Sequence, residues 1–110
     1  MAGGVTITTA IVIALYEKGG TALHNLDLDG LNLGGIDFTG ADFTGSSFRG
    51  TTFTLGTLTN ANFTNCDLTG TDFSMTIKTG ITLTNATIQW ARGLFGSPPS
   101  TTWYDNHGSF

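Results

Sequence analysis

The chain has 110 residues, of which 39% are hydrophobic and only 11% charged, with eight acidic against four basic residues and a formal charge of −4 at pH 7. A sequence this poor in Lys and Arg offers no basic patch for nucleic acid. The length suits one domain, near the size at which a core begins to support itself, and the single cysteine, Cys66, excludes an intrachain disulfide.

In chain order, the first element expected is a helix over Val5 to Lys18. Ala10, Ile11, Ala14 and Leu15 recur at helical spacing, Thr8 or Thr9 is placed to cap the start, and Gly19-Gly20 to stop it. The β-branched residues Val5, Ile7, Ile11, Val12 and Ile13 leave a strand open for the first few residues. No basic stretch precedes the apolar run Ala10 to Tyr16, and seven residues cannot cross a bilayer. A cytoplasmic protein without a membrane partner is expected, and a removed export signal is equally compatible with the sequence.

From Leu23 onward a period of five takes over. Leu23, Leu28, Leu33, Phe38, Phe43, Phe48, Phe53, Leu58, Phe63, Leu68, Phe73, Lys78, Leu83 and Ile88 are each five residues apart, and all but Lys78 are large and apolar. A helix repeats every 3.6 residues and a half-buried strand every two, so a strict five requires a turn in every repeat. Two places after each centre stands Gly or Asn in eleven of fourteen repeats, residues that accept positive φ. Just before it stands Asp, Asn, Ser or Thr in twelve, as in Asp27, Asn32, Asp42 and Thr52, short side chains able to bond the local backbone. Two places before the centre the residues are mostly small: Ala41, Ser46, Thr51, Gly56, Ala61, Cys66 and Thr71.

On these residues the sequence resembles the pentapeptide-repeat family, whose motif reads most plainly here as ADFTG at 41–45, ANFTN at 61–65 and TDFSM at 71–75. The resemblance covers about two thirds of the chain. It implies an all-β solenoid, a right-handed quadrilateral β-helix with four pentapeptides per coil, with a short N-terminal helical cap. Fourteen centres then make about 3.5 coils, a rod of roughly 17 Å at a strand spacing of ~4.8 Å. The expected organisation is an N-terminal cap over 1–20, the β-helix over 21–90 and an aromatic tail over 91–110, all within one domain.

Both tryptophans lie beyond Ile88, where the pattern dissolves into Trp90, Leu94, Phe95, Pro98-Pro99, Trp103, Tyr104 and Phe110. Trp90, Leu94, Phe95, Trp103, Tyr104 and Phe110 are expected either to plug the end of the coil or to form a self-association surface, in which case the chain is a homodimer through its C-terminal end. Lys78 interrupts the apolar column. The expected resolution is a bulge or loop over Ser74 to Gly80 that turns Lys78 outward while Ile77 or Met75 covers the gap; a short protruding contact is the alternative. Leu55, an apolar residue at a turn position, reads as a packing variant. Cys66 reads as a small buried hydrophobe.

Catalysis has little support. His24 and His107 lie far apart in the sequence without triad or ligand spacing, so no enzyme activity, cofactor or metal site is expected. Asp27, Asp37, Asp42, Asp67 and Asp72 share the polar slot before a centre, where turn bonding accounts for them; by counts of twenty only Asp27 and Asp67 share a side, and no acid and base pair emerges. Thr follows the centre at 39, 44, 54, 59, 64, 69, 79 and 84. These threonines suit strand and turn geometry, and a stacked Thr array also raises an ice-binding role. The resemblance implies a further alternative, a DNA-mimicking inhibitor of gyrase or topoisomerase, although such mimicry needs dense negative charge on a long rod. The reading that fits best is a non-enzymatic, rigid protein-interaction or scaffold module with an unknown protein partner.

Overall fold

A computed structural model describes residues 6–94. Its first element is helix α1 (Thr9–Lys18). The Thr8 side chain accepts the Ile11 N–H at 3.3 Å, satisfying a free donor of the first turn. At the other end the Gly19 N–H bonds the Leu15 carbonyl at 3.1 Å, and Gly19 holds φ 76.

The inward face of α1 differs from the sequence expectation. Val12 is fully buried and Ile7, Leu15 and Tyr16 pack partly against the core, whereas Ala10 and Ala14 are exposed. The larger side chains take the contact face because they remove more apolar area from water. Thr9 Oγ1 donates to the Asn32 carbonyl at 2.9 Å and Tyr16 Oη to that of Thr39 at 2.7 Å, tying the helix across the start of the array.

From Asp27 to Arg92 the chain winds in steps of twenty residues. Parallel bridges join Asp27 to Ser47, Asn32 to Thr52, Asp37 to Thr57 and Asp42 to Asn62, and the series continues to Asp72 with Arg92. Each bridge residue stands just before a centre and all but Ile77 are polar, and five-residue spacing with a twenty-residue return makes four sides per coil. Pairing takes the form of isolated bridges because each side is straight for only about three residues before it turns. The ladder is nonetheless closely bonded: the centre's N–H donates one rung up, as Phe43 to Asn62 O at 2.9 Å, and the bridge residue's N–H donates one rung down, as Asn62 to Ala41 O at 2.8 Å.

The corners explain the Gly and Asn pattern. Every residue two places after a centre, from Asn25 to Trp90, has positive φ between 56° and 79°. From Leu28 to Ile88 each centre carbonyl except that of Leu33 accepts the N–H three residues on, as Phe43 O from Ser46 at 3.0 Å. That bond with a left-handed third residue is a type II turn. Leu55, Met75 and Trp90 adopt the same conformation although L side chains resist it.

The centres point inward. Leu23, Leu28, Leu33, Phe38, Phe43, Phe48, Phe53, Leu58, Phe63, Leu68, Phe73 and Ile88 are buried, and Leu83 is partly so. Phe43 stacks on Phe63 with centroids 5.3 Å apart and Phe53 on Phe73 at 5.4 Å, while neighbours within a coil meet edge to face, as Phe43 and Phe48 at 5.0 Å. The small slot is buried beside them. Ser46, Thr51, Thr71 and Thr76 each donate to the carbonyl of the centre 23 positions earlier at 2.6 to 2.8 Å, so these buried hydroxyls fasten one coil to the next.

Two expectations in this region are corrected. No bulge forms over Ser74 to Gly80: Ile77 keeps its bridge to Thr57, and both Ile77 and Met75 face outward. Lys78 stays at the centre position and is half-buried, with Nζ bonded to the Thr76 carbonyl at 2.9 Å. The stem lies along the core while the ammonium reaches out to that carbonyl. Leu55 is no packing variant, because its side chain is exposed. Gly93 occupies the last centre and Leu94 enters the core in its place; a Cβ on Gly93 would lie 2.6 Å from the Ser74 nitrogen.

Candidate functional site

With the interior filled, chemistry is confined to the outer slots before and after each centre. Most of those groups bond each other. The Oδ1 of Asp37, Asp42, Asn62 and Asp67 each accepts both the N–H and the hydroxyl of the Thr two residues on. Thr52 and Thr54 share a 2.6 Å bond. These Thr hydroxyls are thus committed within their own repeats rather than aligned as free rows.

The acidic groups separate in the same way. Arg49 lies 3.3 Å from Asp67 Oδ2 and Arg92 3.1 Å from Asp72 Oδ2, each pair bridging successive rungs. Asp29 accepts the Ser47 hydroxyl and the Arg49 N–H. His24 Nε2 sits 2.8 Å from Asp42 Oδ2, the carboxylate oxygen that Thr44 leaves free. The contact is close without the alignment of a good hydrogen bond, and it becomes an ion pair when the imidazole is protonated. A cleft of about 350 Å³ is lined by Thr6, Ile7, Asp27 and Asp29, between the residues leading into α1 and the first rung. Among the described residues no group of three or more His, Cys, Asp or Glu is placed to hold a metal ion.

Several carboxyls are held below the ordinary range. For Asp37 the cause is the hydroxyl and N–H of Thr39. Burial pushes Asp42 and Asp72 upward, but the bonds from Thr44 together with the close His24 imidazole outweigh it at Asp42, as the bonds from Ser74 and Arg92 do at Asp72. The unfolded chain binds protons at these groups more readily than the native one, so their stabilisation is present above the unfolded carboxylate value of about 3.9 and is lost as pH falls through the native values. The melting temperature, followed by circular dichroism, is expected to hold from pH 8 to about pH 5 and to decline steeply below about pH 4.

Burial pushes the Cys66 thiol up to about 12, and its Sγ lies 3.1 Å from the Phe43 carbonyl. The neutral thiol is a poor nucleophile. A disulfide exchange reagent at pH 8 is expected to leave the native chain unmodified and to label one thiol per chain in denaturant; prompt labelling of native protein would contradict this burial.

Of the aromatic and apolar residues singled out at the C-terminal end, Trp90 is exposed at a corner and Leu94 is buried. Phe95, Trp103, Tyr104 and Phe110, like His107, lie outside the described residues. The sequence reading missed a surface feature: Leu55, Met75 and Ile77 are exposed by 65, 78 and 55%. The signal available was a large apolar residue in place of Gly or Asn at the turn slots of Leu55 and Met75, and in place of a polar residue before the centre at Ile77.

A filled, four-sided stack of five-residue units defines the molecule as a β-solenoid repeat protein. Residues 28–72 match the family model for pentapeptide repeats, in nine copies. Solved structures similar to it include HetL, a pentapeptide repeat protein involved in heterocyst differentiation regulation from the cyanobacterium Nostoc, at 22% identity and TM-score 0.43 over 79% of this chain and 41% of that one. Another is a pentapeptide repeat protein from the Arabidopsis thaliana thylakoid lumen, at 25% identity and TM-score 0.27 over 87% of this chain and 66% of that one. The chain thus spans less than two thirds of the length of either. No curated protein gives a significant sequence match. Among the described residues no helix is long and apolar enough to cross a membrane.

Proposed function

We propose that the chain is a non-enzymatic, rigid protein-interaction or scaffold module. The observation that supports this best is the division of labour in the repeat: inward slots are filled by the stacked core, and outward polar groups are largely engaged with their own ladder. Such a body offers flat, stiff sides rather than a reactive cleft, and stiffness lowers the entropy lost on binding a protein partner. The same reading takes the solenoid as right-handed with about 3.5 coils, divided into a cap over 1–20, an array over 21–90 and a tail over 91–110. It places the protein in the cytoplasm, with the C-terminal tail either capping its own solenoid or joining two chains as a homodimer.

The solution mass by light scattering tests the dimer, for the intact chain and for a Trp103→Ala, Tyr104→Ala variant. A dimer that falls to monomer supports the C-terminal interface; monomers in both cases remove it and leave the side faces as the binding surface. Potent inhibition of gyrase supercoiling by the intact chain would replace the scaffold reading with DNA mimicry, and shaping of ice crystals would replace it with ice binding.

A further inference from the structure

Leu55 and Met75 stand at the turn slot that eleven of the fourteen repeats give to Gly or Asn, and they hold φ of 66° and 56° there. A large side chain at this slot is disfavoured twice, by the left-handed backbone and by exposure to water. The two are neighbours, because the Leu55 N–H donates to the Ser74 carbonyl at 3.4 Å, which sets Met75 one rung above Leu55 at the same corner. Ile77 follows on the adjoining side, at the slot where Asp37 and Thr57 stand in the rungs below. The result is an apolar ridge on the outside of a solenoid whose other corners are mostly Gly and Asn.

We infer that this ridge is the seat of the chain's own segment 95–110. The described chain ends at Leu94, buried on the rung above Ser74, the residue next to Met75. The segment carries Phe95, Trp103, Tyr104 and Phe110 with no Lys or Arg, and Asp105 is its only acidic side chain. That is a composition suited to an uncharged apolar strip. Sixteen residues reach at most about 58 Å, whereas Leu55 and Met75 are one rung, ~4.8 Å, apart. A segment joined directly to the rung beside its seat has a high effective concentration there, which favours the same chain over a second copy.

The test uses the full chain with Trp90→Phe, so that Trp103 is the sole tryptophan, with and without Leu55→Asn and Met75→Asn. Asn is the residue that other repeats place at this slot, so the pair should fold and, on a bare ridge, should raise the melting temperature. The expected result is a blue-shifted Trp103 emission, weakly quenched by acrylamide. In the ridge variant it should move to the red with several-fold stronger quenching, while the melting temperature falls by about 4 °C or more. Trp103 exposed in the parent, or equally protected in both proteins, or a higher melting temperature in the variant, would overturn the inference. Protection that disappears on dilution together with a dimer mass would also overturn it, in favour of a second copy on the ridge.

Discussion

Phe43→Asp is expected to abolish the cooperative thermal transition. Phe43 is fully buried, with the rings of Phe38, Phe48, Phe53 and Phe63 at centroid distances of 5.0 to 6.1 Å. Loss of a core Phe costs about 3–5 kcal/mol, and an unpaired buried carboxylate adds several more unless it is neutralised. Together these approach the roughly 5–15 kcal/mol that holds a whole domain. Lys78 marks the contrast, because a charged side chain on the last described rung reaches a rim carbonyl, whereas rungs lie on both sides of position 43 and its flanking slots hold buried Ala41 and Ser46. Circular dichroism melts of parent and variant decide the matter: a sharp transition near the parent's would refute a core built on these stacked rings.

The rule behind the coil was legible because it is a rule of local chemistry repeated many times. Gly or Asn two residues after a centre reported positive φ, and the polar residue before it reported the turn bond; both are side-chain properties that act within the repeat. The legibility faded where neighbours in the chain do not decide the outcome. At Lys78 the deciding fact is the Thr76 carbonyl within reach of the ammonium, and at Leu94 it is that Gly93 has no side chain to fill the centre. The ridge escaped notice for a related reason. Leu55 and Met75 are twenty residues apart in the sequence, and only the twenty-residue return sets them side by side. The network that ties coils together, hydroxyls bonded to carbonyls 23 positions back, was likewise hidden until the small slot was seen to lie inside.

A second large effect is expected at the N-terminal end, from Val12→Asp. Unpaired rungs and apolar rings at a solenoid's end invite association unless a cap covers them. Here α1 lies over that end, held by Val12, by the edge-to-face contact of Tyr16 with Phe38 at 5.4 Å, and by its bonds to the Asn32 and Thr39 carbonyls. A carboxylate at Val12 is disfavoured by about 3 kcal/mol or more, which exceeds what two exposed hydrogen bonds contribute at about 1 kcal/mol each. The helix should therefore lift away, and light scattering should show oligomers or aggregates in place of the parent's mass, with a lowered melting temperature. Ala14→Asp supplies the control, since Ala14 is exposed on the same helix and a surface substitution there should change stability by no more than about 0.5 kcal/mol. The pair separates two ways of rolling the helix onto the core: spacing alone groups Ala10, Ile11, Ala14 and Leu15, whereas the folded chain turns Val12, Leu15 and Tyr16 inward and leaves Ala10 and Ala14 exposed. Aggregation of the Ala14 variant with an unaffected Val12 variant would reverse the orientation of the cap.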